Sequence, residues 1–181
     1  MLIKADDSYV VVIDVQTRLL GGIHQSDQLV KTCANVVDLA KLVGVPVLGT
    51  EQYPEGLGHS ETVLIEKIGT DHIYGKTQFS CASVPAVEAK IRASQRKSLI
   101  LCGMETQACV IQSALEFKDQ GYNVFVVADA VSARNPQEST WALDRMRQLG
   151  IHIISFEMLG FEWIADSQHP HFKTFSKTYL R

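Results

Sequence analysis

The sequence predicts an α/β protein, with helices on both faces of a mostly parallel sheet. Three observations carry that expectation. Short runs rich in Val and Ile alternate with stretches of helical periodicity through the 181 residues. Several runs are continuously apolar, the mark of strands covered on both faces. The alternation has the rhythm of βαβ units, which build three layers with the sheet in the middle.

The first strand is expected in "YVVVIDV" at 9–15. A helix follows at 26–43, where Leu29, Cys33, Val36, Val37, Ala40 and Val43 recur at helical spacing. Ser26 is its candidate N-cap and Gly44 its stop. "VPVLGT" at 45–50 is the second strand. The stretch 51–71 reads as a long irregular loop, of the kind that is functional or a lid. "HIYGK" at 72–76 is a weak third strand. Helices at 84–94, 107–120 and 136–149 then alternate with strands "KSLILCG" (97–103), "YNVFVVAD" (122–129) and "IHIISF" (151–156). Asn135 caps the helix at 136–149, with Pro136 in its first turn. The tail "HPHFKTFSKTYLR" reads as a last helix packing on the domain or on a second subunit.

Length and 46% hydrophobic content fit one domain over 1–181. The net charge is −3 and no basic run is present, so nucleic acid is not an expected partner. The four cysteines, Cys33, Cys81, Cys102 and Cys109, show no CxxC spacing and read as free thiols of a reducing compartment. The first residues lack a signal-peptide pattern, and no apolar run approaches the roughly 20 residues that span a bilayer. A cytoplasmic protein with no membrane contact is the expectation.

In open parallel sheets, ligands bind at the C-terminal ends of strands, near the point where strand order reverses. Three reactive side chains stand at such ends. Asp14 ends the first strand, Lys76 ends the third, and Cys109 follows the fourth after a turn at Gly103. Cys102, inside its strand, reads as packing. Cys109 falls near a helix N-terminus, whose unpaired N–H groups and dipole lower a thiol pKa.

Other motifs fail. "YGKT" lacks the first glycine of a phosphate loop, since Thr70 occupies that place. No GxGxxG is present. His169 and His171 lack a third metal ligand, and Ser98 and Ser113 lack a nucleophile-elbow context.

Asp14 in "VVVIDVQ", Lys76 in "YGKTQFS" and Cys109 in "CGMETQACV", in that order, resemble the isochorismatase-like cysteine hydrolase superfamily. "GTEQYPEGLGH", "VADAVSARNP" and "EMLGFEWI" bring the chain closest to its small isochorismatase-domain hydrolases of unassigned substrate. The resemblance implies a six-stranded, three-layer α/β/α sandwich of strand order 3-2-1-4-5-6 and an Asp14–Lys76–Cys109 triad. It also implies a cis peptide at Met104–Glu105, with the N–H groups of Glu105 and Cys109 as oxyanion hole, and a dimer or tetramer. In that scheme the Cys109 thiolate forms a thioester, Asp14 takes and returns the proton, and Lys76 keeps Asp14 ionised.

The nicotinamidases of the superfamily carry a metal site after the second strand. Here Glu51, Gln52 and Tyr53 stand there without the histidine, so no metal and no cofactor is expected. Gln16, Gln52, Tyr53, Phe79 and Gln107 are the candidate pocket walls. The apolar "EMLGFEWI" and the tail aromatics Phe172, Phe175 and Tyr179 suggest self-association. The leading function is hydrolysis of a small amide-like, non-peptide C–N bond. The alternatives are an isochorismatase-type enol-ether hydrolase and a non-catalytic, thiol-bearing binding or redox-responsive protein.

Overall fold

The computed structural model describes residues 1–180. Six strands form one sheet in the order β3-β2-β1-β4-β5-β6: β1 Ser8–Ile13, β2 Val47–Gln52, β3 Ile73–Lys76, β4 Ser98–Met104, β5 Asn123–Ser132 and β6 His152–Ile154. Every neighbouring pair is parallel. The helices are α1 Thr17–Leu20, α2 Ser26–Leu42, α3 Pro54–Leu57, α4 Thr62–Ile68, α5 Pro85–Ala93, α6 Ile111–Asp119, α7 Pro136–Gln148, α8 Phe156–Ile164 and α9 Phe172–Tyr179.

Alternate strand residues serve opposite faces. Val10, Val12, Ile100, Cys102 and Phe125 pack with α2, α8 and Phe175 of α9. Val11, Ile13, Leu99, Leu101 and Val126 pack with α5, α6 and α7. Each fully buried aliphatic side chain contributes on the order of 1.5–3 kcal/mol. That two-sided burial is why the central strands tolerate almost no polar residue.

Three expectations of local structure change. The stretch 51–71 is not an irregular loop: it holds the end of β2, α3, α4 and a 3-10 turn. In α4 only Leu64 and Ile68 are buried, one turn apart, too short a signal for periodicity to detect. The chain does not turn at Gly103, which lies inside β4 opposite Ile13. A Cβ there would stand 2.1 Å from Ile13 O at φ +122°, so only glycine permits the strand to pass. Ser26 does not cap α2; Gln25 holds the cap position without a side-chain bond. Asn135 does cap α7, accepting from Gln137 N–H at 3.0 Å.

The tail forms α9, but Phe175 is fully buried against Gly160 and belongs to the core rather than to spare surface. Met158 and Phe161 of α8 remain exposed. The last residue of the tail reading, Arg181, lies outside the described residues. Among the described residues no helix is long and apolar enough to cross a membrane.

Candidate active site

Strand β1 is flanked by β2 and β4, and the chain leaves these strands toward different faces, which opens a crevice at their C-terminal ends. Asp14 follows β1 with a left-handed backbone, φ 53°, which Asp adopts more readily than a branched residue. Its N–H donates to Thr50 O at 3.0 Å. Thr50 Oγ1 donates to Asp14 Oδ1 at 2.7 Å, and Lys76 Nζ donates to Oδ2 at 2.6 Å. The Asp14 and Lys76 side chains are 2% and 0% exposed. An isolated charge buried this deeply would cost several kcal/mol, so each ion requires the other.

Lys76 is held on all sides. Its ammonium also donates to Gln52 Oε1 at 2.6 Å, Phe79 O at 3.0 Å and Gln78 O at 3.1 Å. Four oxygen acceptors surround its three N–H donors.

Cys109 lies in a wide helical turn, Thr106–Val110, that runs into α6. Its Sγ is 4.0 Å from Gln52 Oε1, so the Gln52 amide oxygen faces both the lysine and the thiol. The expected drop in thiol pKa is not found. Burial, and next the Asp14 carboxylate, push the Cys109 thiol up to about 12, while Lys76 pulls the other way. Desolvation and a buried carboxylate outweigh the helix terminus and favour the thiol form of Cys109. Burial likewise pushes Cys81 up to about 12, and contact with Cys102 plus burial raises Cys33 well above its ordinary value. Access separates the four: Cys109 is 7% exposed and the others are fully buried.

The remaining candidates divide. Gln16 is fully buried and not a wall. Its Nε2 donates to Gly58 O at 2.6 Å and Gln52 O at 3.0 Å, and its Oε1 accepts from Gln52 N–H at 2.7 Å, so it straps the exit of β2. Tyr53 and Phe79 stand 52% and 56% exposed beside Lys76, as mouth residues would. The Tyr53 N–H donates to Lys76 O at 2.7 Å. The Met104–Glu105 peptide bond is cis. Gln107 Nε2 donates to Glu105 Oε2 at 2.9 Å, and Arg134 Nε donates to the same oxygen at 3.0 Å.

Sequence reasoning missed Thr50 and Arg134. It also missed His59, whose Nδ1 lies 3.0 Å from Glu51 Oε2. Burial would raise the Glu51 carboxyl, but the Ser60 N–H and His59 bring it below its ordinary value. Among the described residues no three His, Cys, Asp or Glu side chains converge, and the side-chain amide of Gln52, next in the chain, is bound to Lys76 and to Thr77 O.

The family profile described as the isochorismatase domain matches residues 8–158. The chain belongs to the isochorismatase family. The isochorismatase domain-containing protein 2 of Xenopus laevis is 36% identical over 176 residues, covering 96% of this chain and 83% of its own. Among solved structures of the same fold, the MAR1 ribonuclease of Caenorhabditis elegans superimposes with a TM-score of 0.93 at 31% identity, over 100% of this chain and 93% of that one. The YcaC protein of Escherichia coli, described as an octameric hydrolase of unknown specificity, gives 0.87 at 23% identity, over 99% and 97%.

Proposed function

We propose that this isochorismatase-family protein is a cysteine hydrolase that cleaves a small amide-like C–N bond through a thioester on Cys109. The observation that carries the reading is the sealed Asp14–Lys76 pair set against a thiol raised to about 12. A thiol so disfavoured from ionising is useless as a nucleophile unless a neighbour accepts its proton. Asp14 is that acceptor. As the proton moves, negative charge passes from Asp14 to sulfur, and Lys76 stabilises it in both places. Sulfur attacks the carbonyl, and the N–H groups of Glu105 and Cys109 receive the developing oxyanion. Asp14 returns the proton to the departing nitrogen, and water, deprotonated by the same carboxylate, releases the acid.

Tyr53, Phe79 and Gln107 serve as walls for a small molecule, and no metal takes part. The C. elegans neighbour is called a ribonuclease, which raises RNA cleavage as a rival reading. This chain's net charge of −3, and a site whose one buried cation is already paired with Asp14, favour a neutral acyl group over a phosphodiester. A cytoplasmic homo-oligomer is part of the proposal, supported by exposed Met158 and Phe161 and by the octameric E. coli neighbour. The test is release of ammonia or acid across a panel of small amides, with wild type and Cys109→Ala, before and after chelation. Turnover lost in Cys109→Ala and untouched by chelator is expected; turnover that survives the substitution, or is restored by zinc or manganese, contradicts it.

A further inference from the structure

We propose that Arg134 and Gln107 are positioning residues that act through the Glu105 carboxylate to hold the turn before Cys109 in register for oxyanion stabilisation. The proposal rests on the acyl-transfer reading above. Three donors meet on one oxygen. Glu105 Oε2 accepts from Gln107 Nε2 at 2.9 Å, from Arg134 Nε at 3.0 Å and from the Arg134 backbone N–H at 3.3 Å. Gln107 lies in the turn that carries Cys109, whereas Arg134 follows β5. The carboxylate therefore ties the exit of β4 to the exit of β5. It is also the side chain of the residue whose N–H is proposed as the second oxyanion donor.

Gln107 shows how firmly this carboxylate sets its surroundings. Gln107 Oε1 is buried and no protein donor reaches it. Turning the amide over would set Oε1 against Glu105 Oε2, and a carboxylate only accepts. The amide thus keeps the orientation that serves Glu105 even though no protein donor reaches its Oε1. Burial would raise the Glu105 carboxyl, but Gln107 and Arg134 bring it below its ordinary value, so it is charged at neutral pH. Arg134 grips with its side chain and its own backbone N–H, which fixes a direction as well as a charge.

Glu105 O in turn accepts from Ala108 N–H at 3.1 Å and Val110 N–H at 3.2 Å, so both ends of the residue are anchored to the turn and to its neighbour strand. Releasing the side chain leaves the backbone bonds in place but lets the Glu105 N–H swing. An oxyanion donor works only when fixed in advance, so the loss falls on steps that build an oxyanion.

Two reactions of the same thiol separate this role from a merely structural one. Acylation of Cys109 by p-nitrophenyl acetate builds an oxyanion; alkylation by iodoacetamide does not. Both rates are measured on the full chain for wild type, Arg134→Ala, Arg134→Lys, Gln107→Leu and Glu105→Gln, with Cys109→Ala as blank. Removing one oxyanion donor costs about 10²–10³ in rate, so loosening one is expected to slow acylation about 10–100-fold in Arg134→Ala and Glu105→Gln, with alkylation changed less than about 3-fold. Arg134→Lys recovers part of the loss, and Gln107→Leu falls between wild type and Arg134→Ala. Equal slowing of both reactions, or undiminished acylation, overturns the proposal. Wild type that alkylates at Cys109 but never acylates refutes the acyl-transfer reading, and the proposal with it.

Discussion

The Asp14–Lys76 pair and the Glu105–Arg134 pair both adjoin Cys109, one at the ends of β1 and β3, the other at the ends of β4 and β5. The first is 2.6 Å long and shut off from water; in the second, 3.0 Å long, the Arg134 side chain is 72% exposed. Burial makes the difference chemical. Inside, each charge is worth most to its partner, and any proton moved there relocates charge within the whole cluster. At the rim, solvent screens the attraction, which contributes about 0–1 kcal/mol, so what the pair supplies is direction. In the proposed mechanism one pair moves a proton and the other holds a turn.

The largest effect should follow from opening the inner pair. Lys76→Met leaves Asp14 buried without its counter-ion and should destabilise the protein by about 3–5 kcal/mol in urea melts, with Asp14→Asn/Lys76→Met less destabilised than the single variant. If the single and double variants melted alike, the pair would not be coupled as its geometry requires. Turnover comes next: Asp14→Asn should lower kcat by about 10²–10⁴, the usual worth of a positioned acid–base group. A kcat within a few-fold of wild type would remove Asp14 from the proton path.

The rim should respond more gently, and to acid. The Glu105 carboxyl lies below its ordinary value when folded, so the stability it contributes is present above the ordinary carboxylate value and is lost as pH falls through the folded one. Wild-type stability should therefore fall more on acidification than that of Glu105→Gln; parallel acid melts would show that the clamp carries no linked proton. The smallest effects belong to the mouth. Tyr53→Ala and Phe79→Ala should change stability by less than about 0.5 kcal/mol, as exposed positions do, while raising KM for the true substrate. A large loss of stability in either would make it a packing residue.

Much of this was legible in the sequence because strand ends announce themselves. The apolar run before Asp14 places it at the tip of a parallel strand, the weaker "HIYGK" places Lys76 likewise, and the resemblance to the isochorismatase-like hydrolases joins both to Cys109. What stayed hidden depended on contacts far apart in the chain. The Cys109 thiol looked acidic from its helix start alone; its burial and the Asp14 carboxylate, which arrives from the other end of the fold's first half, reverse the sign. Gln16 looked like a wall because nothing local shows that Gly58 and Gln52 saturate its amide. Helix α4 escaped notice because its inward face is two residues long, and Arg134 because its carboxylate partner lies at the end of a different strand.

The central claim is that Asp14 takes the Cys109 proton, and the pH profile of Cys109 alkylation by iodoacetamide tests it most directly. In wild type the proton passes within the buried cluster and not to solvent, so the rate should stay nearly flat from about pH 6 to 9, well below the thiol's own value of about 12. In Asp14→Asn the relay is gone, and so is the carboxylate that raised the thiol; Lys76 becomes the counter-ion of the thiolate. The rate should then climb about tenfold per pH unit and level off at a lower pH than burial alone would set. Flat in wild type and sloped in Asp14→Asn is the predicted result. A wild-type rate that rises tenfold per unit across the neutral range, or a profile unchanged by the substitution, would contradict it.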